Sequence, residues 1–270
     1  MSSQRDGTLA FFGATGGVTL VCLIHSLRAG YKCVALVRTP KRLQDKLSSQ
    51  GLSPDQLANL TTLQGNAHDV TAVKRALTFS GPETLVSHIV TGLGGSPSLT
   101  FSIYRPLRIA QLDDPTICET AARTLITALS QIYTECPRLS SHKPRVTFVS
   151  TTGISRGAED VPFAMRMLYH EVLHFPHVDK KKMEDLFRGN MESEQPVFSG
   201  IYGIRPTLLT ESKTWEDAQG LQKVRAGTED KPVMGYSIKR ADVGHWIFMN
   251  SIHEENLRKK WAGQMISLAY

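Results

Sequence analysis

Long apolar runs, paired cysteines, internal repeats and blocks of one charge are all missing from this sequence, and each absence excludes something. No stretch approaches the ~20 consecutive apolar residues that a bilayer-crossing helix requires, and MSSQRDG places no apolar segment before the first strand. The expectation is a cytoplasmic protein with no membrane contact. Cys22, Cys33, Cys118 and Cys136 lie in or beside apolar elements with no CxxC pair, which argues for buried thiols in a reducing compartment over disulfides or a metal cluster. A formal charge of +6 is spread along the chain, with short clusters only at Lys180 to Lys182 and Arg258 to Lys260, so no nucleic-acid footprint emerges. What remains is an ordinary globular composition, 41% hydrophobic and 21% charged over 270 residues.

The most informative stretch is TLAFFGATGGVT, Thr8 to Thr19. An apolar run breaks into glycines and resumes with helical spacing, which reads as strand, tight turn and helix. Gly13 permits the turn, and Gly16 and Gly17 let the backbone approach a diphosphate at the positive end of the helix that Val18 enters. Leu20, Leu23, Ile24 and Leu27 form one stripe of that helix, and Gly30 closes it. CVALV, Cys33 to Val37, is a second buried strand ending at Arg38. An acid at this place would take ribose hydroxyls; Arg38, with Lys41 and Arg42 nearby, suits a 2′-phosphate and therefore NADP(H).

Strand and helix continue to alternate. A helix is expected from Pro40 to about Ser49, a strand over Leu60 to Gln64, a helix over Val70 to Phe79 and a fourth strand over Leu85 to Val90. The turn at the end of the third strand offers Asn66 to an adenine edge, with ordinary turn chemistry as the equal alternative. TGLGG follows the fourth strand, so its backbone passes close to something, by position the cofactor ribose. A helix through Ile132 leads to RVTFVS, Arg145 to Ser150, then Thr151 and Thr152. Ser155 to His177 reads as a helix, continued by a charged one from Asp179 to Phe187. Gly200 to Ile204 is a short sixth strand, Glu211 to Tyr236 is polar and loop-like, Val243 to Ser251 is a final apolar helix and Met265 to Ala269 a last strand. The expected fold is α/β: a doubly wound (Rossmann), mostly parallel sheet with a small C-terminal substrate lobe. One domain spans 1–270, with substrate-side segments at about 96–114, 155–178 and 208–236.

With GATGGVT, LVR, QGNA, TGLG, FVSTTG, DKKKME, GIRPTLLT and KRADVG in order, the chain resembles atypical short-chain dehydrogenase/reductases, specifically the NmrA-like NAD(P)-binding proteins. PHVDKKKMED and the terminal SLAY are similar to fungal secondary-metabolism enzymes of the averufin-oxidase type, which tailor aromatic polyketides. The resemblance places Gly13, Thr15, Gly16, Gly17 and Val18 on the diphosphate, Arg38 on the 2′-phosphate, Asn66 by adenine, and Thr91 and Gly92 by the nicotinamide-side ribose. It places Ser150 as the active-site hydroxyl, Lys180 on the nicotinamide ribose, and Pro206 and Thr207 beyond the strand that caps the nicotinamide. Three residues depart from the pattern. Thr19 replaces the third glycine, which implies slightly wider helix–strand packing, and Asn66 replaces an aspartate. Pro176 stands four residues before Lys180, where the mainstream enzymes carry the tyrosine that protonates a carbonyl.

Tyr169, His170, His174, His177 and Asp179 precede or adjoin Lys180 and are the candidates for that proton, with Tyr169, His177 and Asp179 joining Lys180 and Ser150 as the catalytic set; partly buried packing histidines are the plain alternative. HEVLH, His170 to His174, has zinc-protease spacing, yet no glycine-spaced third histidine follows, and no metal is expected. The first functional expectation is an NADP(H)-dependent oxidoreductase acting on a bulky, aromatic small molecule. Alternatives are a non-redox isomerase or dehydratase in which a histidine and Asp179 move the proton, and a non-enzymatic NADP-sensing regulator.

Overall fold

The computed structural model describes residues 7–81, 83–94, 114–165 and 174–270, with the backbone alone at 165 and 174–176. Its frame is eight strands: β1 (Leu9–Phe12), β2 (Cys33–Val37), β3 (Leu60–Gln64), β4 (His88–Thr91), β5 (Arg145–Val149), β6 (Gly200–Pro206), β8 (Arg225–Gly227) and β10 (Met265–Ala269). They lie in the order β3-β2-β1-β4-β5-β6-β10-β8, all parallel except β8, which runs antiparallel to β10. The first six follow the doubly wound order, with reversal between β1 and β4. β7 (Leu208–Thr210) and β9 (Ser237–Lys239) form a separate two-stranded parallel pair.

Alternation along the strands sorts the core into two layers. Leu9 and Phe11 face α1 (Gly17–Arg28), α2 (Pro40–Ser48), α7 (Arg240–Ile247) and α8 (Glu255–Trp261); Ala10 and Phe12 face α4 (Val70–Leu77), α5 (Ile117–Glu135) and α6 (His174–Glu192). α1 is buried beyond its expected stripe, at Val18, Val21 and Cys22 as well, because α7 covers its outer side. Gly244 makes that approach: a Cβ there would stand 2.6 Å from the Val18 carbonyl and 2.6 Å from Val21 Cβ.

Several boundaries differ from expectation. The fourth strand begins at His88, the residue registered against Leu9, while Val86 N–H bonds back to the Leu77 carbonyl and ends the preceding turn. No helix starts at Ser155; through Pro162 the chain is irregular, because Asp160 folds back to accept the Gly153 N–H at 2.8 Å and proline disfavours helix at the residue before it. A short 3₁₀ turn at Phe163–Met165 follows, and α6 is described from His174 onward. The polar 208–236 stretch supplies β7 and the edge strand β8. The last apolar helix starts at Arg240 and runs into a π turn at Phe248–His253, and α8 and the short α3 (Pro54–Ala58) were not anticipated. α3 carries a readable capping box, in which Ser53 and Gln56 satisfy each other's backbone N–H groups.

Candidate functional site

The glycine turn is shaped by what its residues lack. Gly13 has φ +78°, and a Cβ on it would stand 3.0 Å from the Gly92 carbonyl group. Gly16 donates to the Gly13 carbonyl at 2.9 Å and caps α1 without any side-chain bond, and the first turn of α1 holds no acid. The N–H groups at the helix start are thus left for an external acceptor, with Gly16 exposed and Val18 buried behind it. Thr15 lies in the loop, its carbonyl accepting from Lys46 Nζ at 2.9 Å. Thr19, where a third glycine was expected, is fully covered; a Cβ on Gly92 would collide with its hydroxyl, so the missing side chain on β4's end makes the room.

The other expected cofactor residues line the same carboxyl edge. Arg38 ends β2 exposed, with no ion pair to any described residue, whereas Lys41 is paired with Asp45 at 2.9 Å. Asn66 Oδ1 accepts the His68 N–H at 3.1 Å, so that oxygen is taken by the turn. Thr91 ends β4 buried, and Gly92 N–H bonds the Phe12 carbonyl, tying β4's end to the glycine turn. Lys180 on α6 donates to the carbonyls of Leu93 at 2.8 Å and Val149 at 2.6 Å, spanning the ends of β4 and β5.

Beyond Lys180 the site is made of side chains from distant segments. Ser150 bonds the Ile204 carbonyl through its N–H while its buried hydroxyl has no partner among the described residues; the Thr207 hydroxyl, past Pro206 at the end of β6, is likewise buried and without a described partner. Asp160 is a third such group. It is 1% exposed, its Oδ2 has no partner among the described residues, and burial raises its pKa, against the Gly153 N–H and Arg205. Behind it Arg205, fully buried at β6's end, grips Glu184 of α6 through Nε at 3.0 Å and Nη2 at 2.6 Å and meets Glu229 at 2.8 Å. Burial works against the Glu229 carboxylate, but Arg188, the Arg156 N–H and Arg205 hold its pKa down to about 2.

The two oxygens of Asp179 accept the N–H groups of Cys118 and Glu119, each at 2.9 Å, and so anchor the start of α5. His177 is buried on α6, one turn before Lys180. Tyr169 and His170 lie outside the described residues, as do the side chains of His174 and Pro176 and the 96–113 segment. Among the described residues no three metal-ligating side chains gather, and no helix is long and apolar enough to cross a membrane. Lys46, Asp160 and the Arg205 network escaped the sequence reading; only the buried GIRP run hinted that Arg205 needed acidic partners.

Strand order, glycine turn and flanking helices define a Rossmann-like α/β protein. The same fold occurs in the anaerobillin reductase ChuY of Escherichia coli O157:H7, at TM-score 0.59 and 18% identity over 97% of this chain and 96% of that one, and in a Lactobacillus casei protein at TM-score 0.62 and 14% identity over 97% and 98%. No family model matches the sequence. It is 38% identical over 274 residues to "Reductase pytE" of Aspergillus terreus, spanning 100% of both chains, and 38% identical over 264 residues to "Oxidase pynE" of Aspergillus niger, spanning 89% of this chain and 91% of that one. The chain belongs to the family of these fungal oxidoreductases.

Proposed function

We propose that this protein is an NADP(H)-dependent oxidoreductase of the NmrA-like, atypical short-chain dehydrogenase/reductase type, acting in the cytosol on a bulky, aromatic, polyketide-like small molecule. The observation that carries the reading is the continuous carboxyl edge from an acid-free glycine turn, past Arg38, which pairs with no described acid, to Lys180 bridging β4 and β5. The residues fit the cofactor. Gly13, Gly16, Gly17 and the α1 N–H groups would hold its diphosphate, and Arg38 its 2′-phosphate. The bound nicotinamide would supply or accept a hydride. Lys180 orders the ends of β4 and β5, where Thr91 and Gly92 lie, and the hydroxyls of Ser150 and Thr207 are available to orient a substrate oxygen. Names borne by relatives, a reductase and an oxidase, agree with redox chemistry in either direction.

Calorimetric titration with NADPH and NADH tests the cofactor, and loss of NADPH absorbance with a panel of aromatic ketones and quinones tests the reaction. Tighter binding of NADPH together with its consumption is the expected result; equal affinities sink the NADP(H) assignment. One observation favours a second reading. Pro176 cannot donate the proton that the mainstream tyrosine supplies, which suits an isomerase or dehydratase on the same fold. Product formed without any change in NADPH absorbance would select it, and with Asp179 occupied by α5 a histidine would have to act without that carboxylate.

A further inference from the structure

KRADVG is a stretch that the proposed function leaves unused, and the structure lays its arginine beside the glycine turn. Because Gly244 presses α7 onto Val18 and Val21, the residue one turn earlier on α7 falls one turn earlier on α1. That residue is Arg240, and a Cβ on Gly17 would stand 2.5 Å from Arg240 Cδ and 3.3 Å from its Cβ. Gly17 is therefore required twice: to admit the ligand's approach and to seat this side chain.

The guanidinium is partly solvent-exposed, at 28%, and Nη1 bonds Glu211 Oε1 at 2.6 Å, a carboxylate that is itself 86% exposed. An ion pair whose carboxylate is this exposed is weak and yields readily to a better anion. No other acid competes at this spot from α7: Asp242, in its first turn, is fully buried, with its oxygens accepting the N–H groups of Gln219 and Gly220 and the Tyr270 hydroxyl. Lys239 turns away to the Asp217 carbonyl. Lys46 already holds the Thr15 carbonyl, so the turn borders a second cation from a distant part of the chain.

We propose that Arg240 is a diphosphate-binding residue: its guanidinium exchanges or shares Glu211 for the diphosphate of a dinucleotide seated over Gly16 and Gly17. The assignment rests on the NADP(H) reading, and it separates two duties. Arg38 serves only the 2′-phosphate, while Arg240 serves the group that NADPH and NADH have in common. Arg240→Met is therefore expected to weaken both nucleotides equally, by about tenfold to a hundredfold, the range for a hydrogen bond to a charged group.

Titration of wild type and Arg240→Met with NADPH and with NADH, alongside melting curves, tests this. Equal loss for both, at unchanged melting temperature, is the expected result. Unchanged affinity for both in the variant overturns the role of Arg240 while leaving the cofactor reading standing, and loss confined to NADPH reassigns Arg240 to the 2′-phosphate and overturns the diphosphate contact. Wild type that binds neither nucleotide defeats the cofactor reading itself. If Arg240→Met does not fold, the wild-type protein decides: NADPH should protect Arg240 from phenylglyoxal, read by peptide mass spectrometry, and equal modification with and without NADPH overturns the proposal.

Discussion

The two halves of the carboxyl edge are built from different materials. Around the glycine turn the site offers chiefly backbone N–H groups and space, supplied by residues that lie close together in the chain or pair across neighbouring strands, with only Lys46 and Arg240 reaching it from farther away. Around β5, β6 and α6 it offers side chains instead, the buried hydroxyls of Ser150 and Thr207, the Asp160 carboxyl and the Lys180 ammonium, beside the buried Arg205–Glu184–Glu229 network. A backbone site tolerates sequence drift wherever glycine is kept. A side-chain site changes its chemistry with each substitution.

The comparison breaks most sharply at the ion pair behind the second half. Glu184→Ala leaves a buried guanidinium with Glu229 as its remaining acidic partner and should cost about 3–5 kcal/mol in denaturant unfolding. A loss below 1 kcal/mol would mean that α6 is held by its apolar face alone. Next in size is the charge that sharpens the first half: Arg38→Ala should weaken NADPH by about 1.5–3 kcal/mol and leave NADH nearly unchanged in calorimetry. Gly92→Ala probes the seam between the halves, since the new methyl collides with the Thr19 hydroxyl. A cost of about 1–3 kcal/mol is expected for such overpacking, recovered in the double variant Gly92→Ala/Thr19→Ala. Additive losses in that double variant would show that the clash is not the cause.

The smallest expected effect lies behind the glycine turn. His25 on α1 stacks on His245 at 4.2 Å and on Phe248, its Nε2 is buried without a partner, and burial, with His245 and Arg28, pushes its pKa down to about 3. A histidine held neutral in the folded state binds its proton more readily when unfolded. Its contribution is complete above the unfolded value of about 6.5 and is lost as pH falls toward 3. After allowance for partial exposure this amounts to about 1 kcal/mol at pH 5. Melting temperature should fall between pH 7 and pH 5 in the wild type, with a flatter profile in His25→Phe; identical slopes would place the acid sensitivity elsewhere.

Legibility follows the same division. Cys33–Val37 and Leu60–Gln64 match the strands read from the sequence, because a continuous apolar run or a short β-rich segment specifies its own element. Gly13 and Gly16 announced a turn for the same local reason. Ser155 misled, since methionines and aromatics spaced like a helix lie beyond Pro162 and a carboxylate that folds back on Gly153. The hold of Asp179 on α5 was not legible for another reason: consecutive helical residues point about 100° apart, so its nearness in sequence to Lys180 does not say what its carboxylate meets.

By itself the sequence determined the doubly wound alternation, the glycine turn and the cation ending β2, all properties of residues and their near neighbours. Only the tertiary structure decided that Gly92 makes room for Thr19, that Arg205 lies between Glu184 and Glu229, that Asp179 serves α5 and that Arg240 rests on Gly17. These contacts join segments tens to hundreds of residues apart. Backbone conformation is set by short-range sterics that a few residues encode, whereas a close contact between helices or a buried ion pair depends on how whole layers pack, which no local pattern contains.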